Sequence, residues 1–117
     1  MELVNRSFSL EAAGGADTAT VELHSENGLS RAGISQLTSA TMQVEVSGNS
    51  HGVEFRFEGR LDDDLSYAEW KPADIVNSGE TALIGIDVAA MTDLRITAVN
   101  KDSSSPADVR LVAIGGV

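Results

Sequence analysis

Two histidines, a run of three aspartates and a lone tryptophan are the residues of this chain best suited to chemistry. A Ser/His/Asp relay needs an imidazole within reach of a positioned serine and an orienting carboxylate. His24 closes the alternating run TATVELH (18–24) on its outward positions, and His51 lies in a turn between Gly48 and Gly52. No G-x-S-x-G elbow accompanies either, so both read as ordinary exposed residues. Paired carboxylates could hydrolyse a glycosidic bond, but a sugar cleft is floored by aromatics. Aromatic residues are 4% of this chain, and Trp70, Tyr67 and three Phe must also serve its core. With no cysteine, thiolate metal sites, Cys nucleophiles and disulfides are excluded. The expectation is a protein that is not an enzyme.

The acidic run Asp62-Asp63-Asp64 is the candidate cation site. Calcium takes six to eight oxygens, yet the EF-hand spacing with its closing glutamate is absent, and three consecutive side chains do not converge on one ion without unusual backbone geometry. A solvated turn is the expected role, with no metal or cofactor. Trp70 after this loop reads either as a core plug or lid whose indole N–H finds a carbonyl, or as an exposed contact anchor strengthened by Tyr67. His51, Asp62, Asp63, Tyr67, Trp70 and Lys101 are the candidate partner-contact residues.

Alternation defines the elements that must position these groups. Met42, Val44 and Val46 share one face against Thr41, Gln43 and Glu45, and Val53, Phe55 and Phe57 oppose Glu54, Arg56 and Glu58. A period of two over both arms means one buried and one polar face. With the Gly/Ser/Asn/His turn between them, the arms predict a β-hairpin. Val4 to Leu10 predicts an opening strand with Phe8 and Leu10 inward, and Thr18 to His24 a second with Ala19, Val21 and Leu23 inward. Asn27-Gly28 marks a turn. Residues 29–40 are ambiguous: Leu29, Ala32, Gly33 and Leu37 could share a helix face, but Gly33, Ser35 and Thr38 weaken it, which favours a loop with at most one helical turn.

After Trp70, Lys71-Pro72 predicts a break, because proline donates nothing to a ladder. Asp74 to Val76 is a short strand and Asn77-Ser78-Gly79 a turn. Thr81 to Val88 is apolar enough for a central strand with Ala82, Ile84, Ile86 and Val88 inward. Asp93 to Val99 and Asp108 to Ile114 complete the set, joined by an exposed, flexible loop at Asn100 to Pro106. Seven or eight short strands with little or no helix predict an all-β antiparallel sandwich, jelly-roll-like. Strand order stays open between a jelly roll and an immunoglobulin-like Greek key.

The 117 residues predict a single domain, 1–117, large enough to bury a core unaided. Met1 to Leu10 lacks the apolar core of a secretion signal, and no segment approaches the roughly 18 apolar residues of a membrane span. Eighteen acidic against eight basic residues give a net charge of −10. That repels phosphate backbones and argues against nucleic-acid partners. A basic partner surface would complement it.

The succession Val44-Glu45-Val46-Ser47-Gly48, then Val53-Glu54-Phe55-Arg56-Phe57-Glu58-Gly59, Leu61-Asp62-Asp63 and Trp70 resembles a segment of small structural proteins of tailed bacteriophages. Ser78-Gly79, Leu94-Arg95-Ile96 and Val109 to Ile114 supply the later parts, so the resemblance covers the C-terminal two thirds. It departs at Arg60-Leu61-Asp62-Asp63, where the pattern carries a tight Ser-x-Asp-Gly turn. The resemblance implies a virion component on the outer capsid surface, a decoration or cement protein that binds the mature lattice of the major capsid protein. It also implies a homo-oligomer, with trimers at three-fold positions as the natural arrangement. A tail, neck or baseplate subunit and a fibre-associated carbohydrate-binding module remain alternatives. The expected contact elements are a flexible N-terminal strand and the loops Ser47 to Gly52, Arg60 to Tyr67 and Asn100 to Pro106.

Overall fold

The alternating runs become eight strands in a computed structural model that describes residues 2–22, 39–62, 64–87 and 91–116. They are β1 (Glu2–Leu10), β2 (Ala16–Glu22), β3 (Ser39–Ser47), β4 (Val53–Arg60), β5 (Ala68–Val76), β6 (Thr81–Asp87), β7 (Asp93–Asn100) and β8 (Ala107–Gly116). Two four-stranded sheets form, in the orders β1-β8-β3-β6 and β2-β7-β4-β5, with every pairing antiparallel. This is the strand order of a jelly roll. The all-β expectation holds, and the Greek-key alternative falls away. Among the described residues there is no helix. His24, Leu23, Asn27-Gly28, residues 29–38, Asp63 and Val88 lie outside the described residues.

The predicted hairpin is corrected. β3 pairs with β6 and β8, while β4 pairs with β5 and β7, so the two arms belong to different sheets and face each other across the core. Their alternation is as read: Met42, Val44, Val53, Phe55 and Phe57 are fully buried. Each phenylalanine contributes roughly 1.5–3 kcal/mol by leaving water. Alternation reports which face is buried, and two strands burying faces against one another satisfy it as well as a hairpin does.

The predicted break at Lys71-Pro72 and the central position of 81–88 are also corrected. β5 runs through Pro72, and β5 and β6 are both edge strands. Proline is tolerated there because the ladder slips: between Phe55↔Asp74 and Phe57↔Lys71, Arg56 alone on β4 faces both Pro72 and Ala73. A second irregularity follows, since Phe57↔Lys71 and Glu58↔Glu69 leave Trp70 as the extra residue.

The sandwich's two open seams are closed by side chains. Between β1 and β2, Arg6 Nη2 reaches both Asp17 carboxylate oxygens at 3.0 and 2.9 Å. Between β5 and β6, Lys71 Nζ lies 4.9 Å from the Phe57 ring centroid, 3.1 Å from Asp74 Oδ2 and 3.5 Å from the Gly85 carbonyl. β1 is paired with β8 along its length, so the expected flexible N-terminal strand is part of the sheet.

Candidate functional site

The connections gather at two ends of the sandwich, and the candidate residues divide between them. Turns 11–15, 48–52, 77–80 and 101–106 share the first end, where backbone hydrogen bonds tie them together: Ala13 N to Asp102 O at 2.9 Å, Lys101 N to Gly52 O at 3.1 Å and Gly79 N to Val46 O at 2.7 Å. His51 and Lys101 sit here. The 61–67 loop and Thr92 lie at the opposite end, joined by Thr92 N to Arg60 O at 3.0 Å and Thr92 Oγ1 to Leu61 O at 2.7 Å. Asp62, Tyr67 and Trp70 belong to that end. The structure therefore does not bring the described candidate residues into one site.

A buried polar cluster organises the first end. Asn49, Asn100 and Asp102 are 9%, 2% and 1% exposed. Asn100 Oδ1 accepts from Asn49 Nδ2 at 2.7 Å and from Asp102 N at 3.0 Å, while Asn100 Nδ2 donates to the carbonyls of Ser105 (2.9 Å) and Glu11 (3.1 Å). Asn49 also brackets the turn, donating to Gly52 O at 2.8 Å and accepting from Gly52 N at 3.2 Å. The turn requires glycine at 52, where φ is +77° and an added Cβ would lie 2.5 Å from the Val76 carbonyl oxygen. The expected exposed loop at 100–106 is thus corrected in part: Lys101, Ser103, Ser104 and Pro106 are exposed, but Asn100 and Asp102 turn inward, because several backbone groups of converging loops need partners.

Asp102 completes the clamp. It accepts from Ser50 N at 2.8 Å, Ser104 N at 2.9 Å and Ser104 Oγ at 3.0 Å. The backbone N–H groups of Ser104 and Ser50 hold its carboxyl far below the usual carboxylate range, outweighing the upward push of burial; the Ser104 hydroxyl and His51 act in the same downward direction. His51 Nδ1 stands 3.6 Å from Asp102 Oδ2, with its side chain 69% exposed. A histidine beside a buried aspartate is two thirds of a hydrolytic relay, but the serine hydroxyl in this cluster donates to the aspartate itself. The geometry is that of a loop clamp carrying an exposed imidazole. Lys101 Nζ lies 3.8 Å from Glu54 Oε2.

At the opposite end Tyr67 is held between two guanidinium groups, with Arg95 at 4.2 Å and Arg60 at 4.5 Å from its ring centroid. Arg60 is paired with buried Asp93 at 2.9 Å and Arg95 with Glu58 at 3.0 Å. The Tyr67 hydroxyl is buried without a hydrogen bond among the described residues. Asp62 Oδ1 accepts from Asp64 N at 2.9 Å, an Asx turn. Among the described residues no group of three or more His, Cys, Asp or Glu could hold a metal ion. Trp70 is 45% exposed, and its indole donates to the Asp87 carbonyl of β6 at 2.6 Å. Of its two sequence readings, the lid with a carbonyl partner describes the contact; half the ring still faces outward.

Sequence reasoning missed Asn49, Asn100, Asp102 and the two arginines around Tyr67. Asn100 and Asp102 did carry a signal, being short polar residues that bond backbone groups directly after an apolar strand. The arginine pair carried none, since its members are 35 positions apart.

The two outer faces differ. Over β4 and β7, Glu54, Arg56, Glu58, Arg60, Asp93 and Arg95 form a crossed set of ion pairs. Over β8, β3 and β6 the outward positions include Val112, Ile114, Thr41, Gln43, Leu83 and Gly85, with Leu83 72% and Ile114 54% exposed.

The fold and its surfaces define a jelly-roll β-sandwich. No family model and no curated protein matches the chain. Among solved structures it is similar to the crystal structure of PirA, with a TM-score of 0.64 and 14% identity over 96% of this chain and 93% of that one. A second, looser likeness is to the structure of infectious bursal disease virus, Gx strain, with a TM-score of 0.42 and 12% identity over 97% of this chain and 30% of that one. The similarity to PirA is one of fold.

Proposed function

We propose that this chain is a bacteriophage virion protein that decorates the capsid, binding the mature lattice of the major capsid protein from outside. The observation that carries this reading is where the phage-like segments fall. Val44 to Gly48 ends β3 and turns the sheet-to-sheet corner, Val53 to Gly59 is most of β4, and Leu94-Arg95-Ile96 and Val109 to Ile114 lie in β7 and β8. The resemblance thus maps onto the frame of the jelly roll and onto the corner that the Asn49–Asn100–Asp102 cluster fixes. Gly59 fits the same account, because a Cβ there would fall against the Met91 sulfur.

Decoration asks for binding energy alone. A protein that contacts only the mature lattice stabilises that state by mass action. The end carrying His51 and Lys101 suits the contact: its loops are already ordered by buried hydrogen bonds, so binding loses little conformational freedom there. Lattice symmetry then multiplies weak contacts into avidity.

Immunogold electron microscopy of particles carrying this chain tests the reading. Gold distributed over the head is expected. Gold confined to the tail or neck would move the chain to the connector or fibre reading, and unlabelled particles would refute a virion role.

A further inference from the structure

An acidic chain bearing −10 repels copies of itself unless the contact sets a cation of each copy against a carboxylate of the other. The outer face of the β1-β8-β3-β6 sheet offers such a pair, since its outward positions carry one cation, Arg110, among Glu45, Asp108 and Asp87. Its middle row across the four strands is Asn5, Val112, Gln43 and Leu83, and the next is Ser7, Arg110, Glu45 and Thr81. Arg110 is unusual. Arg6, Arg56, Arg60, Lys71, Arg95 and Lys101 each lie within 4 Å of a carboxylate oxygen. The contacts of Arg110 are instead the carbonyls of Arg6 and Leu111, at 3.2 and 3.3 Å. Among the described residues it is a guanidinium on an open sheet face with no carboxylate paired to it.

The geometry points to a two-fold homodimer through this face, with the axis running along the strands between β8 and β3. Rotation about that line exchanges β8 with β3 and β1 with β6. Arg110 then stands over Glu45 of the second copy, and Glu45 over its Arg110. Val112 meets Gln43, Ile114 meets Thr41 and Leu83 meets Asn5, so each exposed apolar side chain is covered by an uncharged one. Asp108 falls over Ser47. The contact is isologous and closed, as a stable two-fold requires, and aligned sheets pack face to face with a modest twist.

Four strands about 4.8 Å apart and about eight residues long present a face of roughly 500 Å². Two copies would bury about 1,000 Å², the lower bound for a specific interface and the range of weak, reversible contacts. This inference is independent of the virion reading, because it concerns the isolated chain.

Sedimentation equilibrium of the purified full chain over roughly 1–200 µM tests it. A monomer–dimer equilibrium is expected. Leu83→Arg, Arg110→Glu and Glu45→Arg should each weaken it by about tenfold or more, and the double variant E45R/R110E should return to within a few-fold of the parent. Circular dichroism melts of each variant establish that it is folded, as these side chains point outward. A monomer throughout the range, a trimer, dimerisation indifferent to the three single variants, or a double variant no better than the singles would each overturn the inference. None of these outcomes bears on where immunogold labels a particle.

Discussion

Removing the Asn100 side chain should cost this protein a large part of its stability although the residue lies at a strand end. Its Oδ1 accepts from Asn49 Nδ2 and Asp102 N, and its Nδ2 donates to the carbonyls of Ser105 and Glu11, all within 3.1 Å. In Asn100→Ala five groups lose a partner, counting the longer bond to the Leu10 carbonyl at 3.4 Å. The Ser105 and Glu11 carbonyls lie in residues open enough for water to replace the lost bonds, whereas the Asn49 amide and the Asp102 N–H are buried. An unsatisfied buried polar group costs about 1–3 kcal/mol. Two of them, with the partial loss at the carbonyls, give about 3–5 kcal/mol, a sizeable share of the roughly 5–15 kcal/mol typical of a domain. At about 4 °C per kcal/mol, Tm should fall by about 12–20 °C. Urea unfolding monitored by circular dichroism measures both, with an unchanged m-value showing that the two-state transition persists. Asn100→Asp keeps the volume but turns a carboxylate toward carbonyl oxygens beside Asp102, so it should be at least as damaging at neutral pH. Exposed Asn5→Ala is the control and should stay within about 0.5 kcal/mol of the parent. A loss below about 1 kcal/mol in Asn100→Ala would refute the claim that this cluster holds the loops.

Asp102 gives the acid limb of stability a definite sign. Its folded carboxyl titrates below the unfolded value of about 3.9, so its contribution is complete above that pH and is lost as pH falls below about 4. Asp102→Asn should be less stable at neutral pH and show a flatter decline between about pH 4 and 2.5; parallel declines in parent and variant would show the carboxylate is not the cause. Gly52→Ala should cost about 2–4 kcal/mol, since it adds steric contact with the Val76 carbonyl to a positive φ, while Gly79→Ala, with φ of +84° and open space around it, should cost about 1 kcal/mol. Equal thermal shifts in the two variants would show that the close approach is immaterial. Trp70→Phe removes the indole bond to the Asp87 carbonyl and should cost about 1 kcal/mol by urea unfolding. Acrylamide should quench parent Trp70 fluorescence to an intermediate degree, in keeping with a ring 45% exposed; a fully protected indole would contradict its placement at the edge.

What the sequence disclosed was faces, and what it withheld was partners. The inward residues of β3, β4 and β6 follow from alternation, because a period of two is a local property of the backbone. Pairing is not local in a jelly roll: β1 joins β8 from the far side of the chain, as Leu10↔Ala107 shows, and β3 joins β8 and β6 while skipping β4 altogether. The edge strands were hidden for a related reason. β5 contains Pro72 and two register slips, which is poor strand chemistry until the strand is known to lie at an edge. β6 is apolar on alternate residues and also bears Leu83 outward, so it read as central when only one of its faces touches the core.

The loops show the same division between types and positions. Asn49, Asn100 and Asp102 are residues that turn chains, and nothing in their spacing says that they converge. They converge because the jelly roll returns β3 and β7 to the same end, and at that end the backbone groups of three connections must find partners away from water. The charge pattern follows the same logic at the surface. Acids and bases alternate along β4, where Arg56 pairs with Glu54, while Glu58 and Arg60 meet Arg95 and Asp93 on β7. The other outer face leaves Arg110 and Glu45 side by side in register, with the guanidinium turned to carbonyl oxygens. A cation left without a carboxylate in a chain with ten more acids than bases is the feature that a second copy, brought by a two-fold along β8 and β3, would satisfy.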